Sequence, residues 1–362
     1  MSEPSPPFPL NCLYLYLADR CNLSCGHCWI SPGSVRDPSN ELPAEILKKT
    51  IAEAMTLGLQ SVKLTGGEPF LYRETRPLLG FLAAEGIDVI VETNGTLLDR
   101  DLIATLRKCK TAQISVSLDA GRAEVHDKLR GVKGCFDRTI TGLRLLAENG
   151  LGFQVIMTLC RRNLGEIPGL ISLCTELSAV SLKINPMQPC GRGKDRFREN
   201  DNLDIAELIR LYRMVEKEWS FRKGLEIIFD LPAAFRSIED IKARGIVECR
   251  ILNILGILAN GDLSICGIGQ TSEELRMGNI RRHSIREVWE NDPVLADLRA
   301  GLPGRLQGIC GRCLFRFQCL GSCRANAYAV DRDLFASYFL CREAHEAGLF
   351  PLSRIDNDER PS

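Results

Sequence analysis

Between Leu13 and Asn185 six short apolar runs recur: LYLYLA (13 to 18), SVKLT (61 to 65), DVIVET (88 to 93), ISVSLD (114 to 119), FQVIMTL (153 to 159) and VSLKIN (180 to 185). Segments of helical period separate them. One opens at Pro43, stops near Gly58 and carries Ile46, Leu47, Ile51, Ala54 and Met55 on one side. Another sets Phe136, Ile140, Leu143 and Ala147 at helical spacing before Asn149-Gly150. Such alternation predicts βα units on a parallel sheet. A complete eight-unit barrel uses about 31 residues per unit, and six strands within the first 185 residues run at a similar rate. The expectation is an α/β chain built on a partial, open (β/α)6 TIM-like barrel.

In such a barrel the loops after the strands form the active face. Thr65-Gly66-Gly67-Glu68, Thr93-Asn94-Gly95, Ser117 with Asp119, and Asn185 fall there, as does CNLSCGHCW (21 to 29) after the first strand. Cys21, Cys25 and Cys28 in that stretch have CxxxCxxC spacing. A closed structural metal site takes four protein ligands, whereas three leave a position open for chemistry. Two adjacent glycines permit a close approach to the backbone, and Glu68 offers a carboxylate to a cationic group. Asp119 reads as a helix cap, and His126 and His283 as surface or satisfied histidines.

The remaining pattern places a helix over 201 to 219 and a hairpin at Asn260-Gly261 within ILGILANGDLSIC. We divide the chain into a tail (1 to 12), the barrel (13 to 222), a small cysteine-rich α+β domain (223 to 348) and a second tail (349 to 362). Forty-six basic and 46 acidic residues cancel, which argues against nucleic acid or a membrane surface as partner. MSEPSPPFPL lacks a signal-peptide apolar core, and no apolar run approaches the roughly 18 residues of a membrane span. The expectation is a cytoplasmic protein. In a reducing compartment its 16 cysteines read as metal ligands more than disulfides. Seven of them, Cys249, Cys266, Cys310, Cys313, Cys319, Cys323 and Cys341, crowd the last third. Cys12, Cys109, Cys135, Cys160, Cys174 and Cys190 are scattered and read as small buried hydrophobes.

CxxxCxxC after the first strand together with Gly66-Gly67-Glu68-Pro69 after the second resembles the radical S-adenosylmethionine enzymes, over Leu13 to about Asn185. The resemblance implies that Cys21, Cys25 and Cys28 bind three irons of a 4Fe-4S cluster and that S-adenosyl-L-methionine chelates the fourth. It further implies that Gly66, Gly67 and Glu68 hold the methionine amino group, that Ser117 contacts the ribose, and that Arg130 pairs with the methionine carboxylate. His27 stands where the family usually has an aromatic residue touching the adenine, and Asn94 is a weaker carry-over.

The string C-x11-G-x4-C, then CxxCx5CxxxC, then C, over Cys249 to Cys341, resembles the SPASM domain of radical enzymes that modify peptides and proteins. By that resemblance Cys310, Cys313, Cys319 and Cys341 close one auxiliary 4Fe-4S cluster. Cys249, Cys266 and Cys323 hold another that is one ligand short: either a distant residue such as Cys190 completes it, or one iron is open to substrate. The implied function is a peptide maturase. A 5'-deoxyadenosyl radical abstracts hydrogen from a ribosomally made precursor peptide, and a crosslink follows, a thioether if a peptide cysteine reaches the open iron. An external electron donor of flavodoxin or ferredoxin type is implied. Because about 12 residues precede the first strand, leader recognition is expected from a separate partner protein or from the C-terminal region. The alternatives are an anaerobic sulfatase maturase, against which stands Gly267 where those enzymes carry an aspartate, and a non-catalytic zinc scaffold.

Overall fold

The computed structural model describes residues 8–32, 41–219, 221–222, 224–246 and 249–356. The outer parts of both expected tails lie outside these residues, as does position 223, where the sequence reading starts the second domain. All six apolar runs form strands: β1 (Cys12–Ala18), β2 (Ser61–Gly66), β3 (Asp88–Thr93), β4 (Lys110–Ser117), β5 (Gln154–Leu159) and β6 (Ser181–Pro186). They lie side by side in chain order, each parallel to the next. Helices α1 (Ala44–Met55), α2 (Thr75–Ala84), α3 (Arg100–Leu106), α4 (Ala123–Arg130), α5 (Cys135–Glu148) and α6 (Ile167–Glu176) return the chain between them.

The two faces of each strand are chemically different, and that difference creates the cavity. Val89, Val91, Val155 and Met157 are fully buried, and they pack with Leu47, Ile51, Leu78, Leu82, Leu143 and Leu146 of the helices in one apolar core. The alternate positions point the other way. Tyr14, Lys63, Ile90, Glu92, Gln113, Ser115, Gln154, Ile156 and Lys183 line one cavity of about 750 Å³, so the sheet curls around a polar lumen. β4 begins four residues before its apolar run, in the mostly polar stretch Lys110 to Gln113 that carries no apolar signal. This stretch joins the sheet through register with β3, where Lys110 Nζ also lies 2.6 Å from Asp88 Oδ1.

Beyond β6 come α7 (Gly193–Arg198), α8 (Ile205–Glu218), β7 (Phe221–Arg222), β8 (Leu225–Phe229), α9 (Ile238–Arg244), β9 (Ile254–Ile257), β10 (Asp262–Ser264) and β11 (Arg276–Asn279). The helix expected over 201 to 219 is α8, started by a capping box in which Asp204 and Glu207 each accept the other's backbone N–H at 2.8 Å. β9 and β10 form the antiparallel hairpin at Asn260-Gly261, with Gly261 at φ +95°. The sheet does not stop at residue 222: β8 pairs parallel with β6, and β9 pairs parallel with β1. The cysteine-rich half is thus stitched to both edges of the six-strand unit, giving an eleven-strand order β11-β10-β9-β1-β2-β3-β4-β5-β6-β8-β7. Helices α10 (Ile285–Asn291), α11 (Pro293–Gly301), α12 (Gly308–Gly311), α13 (Arg316–Cys319), α14 (Arg324–Asp331) and α15 (Phe339–Glu346) complete the chain. No helix among the described residues is long and apolar enough to cross a membrane.

Candidate functional site

The loop after β1 is held from two sides. Ser24 N–H donates to the Arg130 carbonyl at 3.0 Å and Gly26 N–H to that of Leu129 at 3.1 Å, anchoring the loop to the C-terminus of α4. On the other side Gly67 N–H donates to Ala18 O at 2.8 Å and Glu68 N–H to Arg20 O at 3.1 Å. The two glycines are needed for this second seam. A Cβ on Gly66, which has φ +128°, would lie 2.8 Å from Ala18 O, and one on Gly67 would lie 2.1 Å from Arg20 O. The close approach they permit is therefore between two segments of the chain itself. Cys21, Cys25 and Cys28 are brought into one apolar cluster with Leu23, Val132 and Cys135. Burial pushes the Cys21 thiol up to about 12 and raises Cys25 as well, so ionised thiolates there call for the compensating charge of a metal.

Glu68 is wholly buried. Its Oε1 accepts from Thr93 Oγ1 at 2.7 Å and Phe70 N–H at 3.2 Å, and its Oε2 accepts from Asn94 N–H at 2.9 Å. Burial outweighs these donors and pushes the carboxyl up to about 7; an ammonium group beside it would bring it down again. The structure thus gives Glu68 a structural duty, tying the loops after β2 and β3 together. Asn94 continues that link, donating from Nδ2 to Asn22 Oδ1 at 2.8 Å, beside Cys21. Ser117, half-buried at the end of β4, is on the lumen side by alternation with Gln113 and Ser115.

Asp119, read from sequence as a cap, is instead the fully buried centre of a charged group. Arg130 approaches it twice, Nη2 donating to Oδ1 at 2.9 Å and Nε lying 2.7 Å from Oδ2. The second contact is ionic only, since neither atom completes a hydrogen bond there. Arg130 also presents Nη1 to Cys25 Sγ at 3.7 Å, so two arms of the guanidinium lie on the chain's own carboxylate and a third reaches the cysteine loop. Burial opposes ionisation of Asp119, but the guanidinium holds its carboxyl below the usual carboxylate range. His27 Nε2 lies 3.4 Å from Asp119 Oδ2. Burial pushes this imidazole down to about 4, so it is neutral at pH 7 and is packed into the Asp119 group. His126 is buried, its Nδ1 accepting Asp119 N–H at 3.1 Å while its Nε2 has no hydrogen-bond partner.

The C-terminal cysteines separate into two groups. Cys310, Cys313, Cys319 and Cys341 line one small apolar cavity with Phe315 and Phe350. Cys341 donates a hydrogen bond to Cys310, which, with further donors, holds Cys310 down to about 6. Cys249 and Cys323 face the barrel cavity, and both lie within electrostatic reach of Cys266. Between the groups sits Arg324, fully buried and donating to the carbonyls of Leu334 at 3.0 Å, Ala336 at 2.8 Å and Gly321. Its charge is felt by Cys310, Cys319, Cys323 and Cys341. Four thiols around a common void suit a four-iron cluster, each sulfur binding a separate iron. Among the described residues no three His, Cys, Asp or Glu side chains converge as ligands of one ion would.

Family comparison agrees with this arrangement. Residues 15–174 match the model of the radical SAM superfamily, and residues 249–314 match SPASM, an iron-sulfur cluster-binding domain. The AdoMet-dependent heme synthase of Methanosarcina barkeri is 33% identical over 325 residues, 86% of this chain and 90% of that protein. The chain belongs to the radical SAM superfamily. It is an enzyme that uses S-adenosyl-L-methionine and 4Fe-4S clusters. Mycofactocin maturase MftC of Mycobacterium tuberculosis is 28% identical over 344 residues, 92% of this chain and 83% of that one. Streptococcus suis SuiB bound to its precursor peptide SuiA has the same fold, with TM-score 0.73 and 22% identity over 92% of this chain and 76% of that one.

Three outcomes follow for this radical SAM enzyme. Gly67→Ala forces a methyl group onto the Arg20 carbonyl, so the apo-protein should lose at least about 1–3 kcal/mol in urea unfolding. Asp119→Ala leaves Arg130 buried without its carboxylate and should cost about 3–5 kcal/mol in the same measurement. For Glu68 the raised folded pKa means that the unfolded chain ionises first as pH rises. Stability supplied by the neutral carboxyl should therefore be lost between about pH 4.5 and 7. Urea titrations across that range should show the fall in the wild type and a smaller one in Glu68→Gln.

Proposed function

We propose that this enzyme oxidises a carboxylate-bearing tetrapyrrole held in the barrel cavity. The observation that carries the reading is the lining of that cavity: Lys63, Lys183 and Arg250 supply cations, and Tyr14, Trp29 and Tyr338 supply flat aromatic surface. Lys63 is paired with Glu92 at 2.5 Å and Lys183 with Asp230 at 3.0 Å, pairs that substrate carboxylates can exchange into. A volume of about 750 Å³ suits a compact ligand. Relatives named AdoMet-dependent heme synthase and Fe-coproporphyrin III synthase, at 33% and 27% identity along most of this chain, support the same substrate class. When bound, S-adenosyl-L-methionine and the clusters supply a hydrogen-abstracting radical and a route for the departing electron. The chain's part is to orient the substrate over the cysteine loop, with Glu68, Ser117, His27, Asn94 and Arg130 around the S-adenosyl-L-methionine site. An external low-potential donor of flavodoxin or ferredoxin type completes the electron balance.

The second reading is peptide maturation with a separate leader-recognition partner. It is favoured by MftC and by AlbA of Bacillus subtilis, the latter 32% identical over 52% of this chain. The formylglycine alternative lacks its base. Gly267 N–H donates to Tyr16 Oη at 2.7 Å, and a Cβ at Gly267 would lie 2.5 Å from the Tyr16 ring, so an aspartate does not fit there. Anaerobically reconstituted enzyme with reductant and S-adenosyl-L-methionine should form 5'-deoxyadenosine faster when Fe-coproporphyrin III is added, with a changed porphyrin mass, and Cys25→Ala should abolish both. Stimulation by a precursor peptide and none by the porphyrin reverses the two readings. Zinc in place of iron and acid-labile sulfide would return the chain to a scaffold.

A further inference from the structure

Cys190 is buried in the loop after β6, far in sequence from the cysteine-dense region. The loop is pinned against the first cysteine motif. Arg192 N–H donates to Cys28 O at 2.9 Å, and a Cβ on Gly191 would lie 2.4 Å from Trp29 O. From there the Cys190 thiol points to the other side, donating to Asn326 Oδ1 at 2.8 Å. Asn326 is on the first turn of α14, three residues after Cys323. Cys190, Cys249 and Cys323 line the same cavity, and all three lie within electrostatic reach of Cys266.

We propose that Cys190 is the fourth thiolate ligand of the auxiliary cluster held by Cys249, Cys266 and Cys323. The step would be a ligand exchange with no redox change: the thiol proton would leave to solvent, a sulfur lone pair would form the Fe–S bond, and the water or hydroxide on that iron would depart. The hydrogen bond to Asn326 Oδ1 would break, and rotation of that amide, exchanging its Nδ2–H bond to Gln188 Oε1, would present Nδ2–H to the new thiolate. Cys135 shows what a non-ligand looks like here. It also lies near a cluster loop, beside Cys25, but its thiol faces the Asp127 carboxylate at 3.2 Å, which disfavours a thiolate. With Cys190 bound, no iron of this cluster is open to a substrate sulfur, and the cluster serves as an electron relay between the cavity and the Arg324 region.

The inference rests on the auxiliary clusters and not on the identity of the substrate, and its test uses none. In full-length protein with Cys21, Cys25 and Cys28 changed to alanine, only the auxiliary clusters assemble. Reduced samples should give an electron paramagnetic resonance spectrum that a small added thiol leaves unchanged. Cys190→Ala in that background should either lose about half the iron and sulfide, as Cys249→Ala should, or gain a thiol-induced shift and a 3Fe-4S signal on mild oxidation. Cys190→Ser, which preserves size, guards against misfolding and should show the same sensitivity. A thiol-induced shift with Cys190 intact, or a Cys190→Ala protein with full iron content and no response to thiol, overturns the proposal.

Discussion

The contact on which the site depends is the buried pair of Asp119 and Arg130. One carboxylate two residues past the end of β4 receives a guanidinium from the end of α4, the Thr158 backbone N–H of β5 at 2.9 Å and the neutral His27 ring. The same arginine touches Cys25 Sγ. A charge pair this deep carries a desolvation penalty that only close geometry offsets, so the pair fixes the orientation of everything attached to it. What it fixes is the loop bearing Cys21, Cys25 and Cys28, in which burial raises the Cys21 and Cys25 thiols.

That loop is also the meeting point of three others. The Gly66-Gly67 seam joins it to β2, Glu68 joins β2 to β3, and the Gly191 turn joins it to β6. The β6 turn carries Cys190 toward Asn326, and Arg324 then stands among the thiols of both C-terminal groups. The cysteine groups follow one another across the active face because β9 and β8 attach the C-terminal half to both edges of the barrel sheet. An electron leaving a substrate in the lumen would find Cys249 and Cys323 in the wall of the same cavity.

The strands and cysteine sets were legible in sequence because both are written locally, the first as period and the second as spacing. The missed features have partners far away. The start of β4 is polar and is recruited by β3, and β8 and β9 reveal their pairing only against strands well over a hundred residues removed or on the far side of α8. The sequence reading gave Arg130 to the methionine carboxylate; its commitment to Asp119 and Cys25 was not legible, since the cysteine lies 105 residues away. Asp119 had a readable signal in closely following the strand that carries Ser117, yet a helix cap and a buried counter-ion look alike in sequence. Cys190 differs from other scattered cysteines only through a contact 136 residues distant.

The central claim is that one site alone, at CNLSCGHCW, is built to leave an iron without a thiolate. Mössbauer spectroscopy of the fully reconstituted wild type, with and without S-adenosyl-L-methionine, tests this most directly. The account predicts one iron per chain distinct from the thiolate-bound irons, and that iron alone should shift when S-adenosyl-L-methionine binds. A second distinct iron that S-adenosyl-L-methionine leaves unmoved would contradict it.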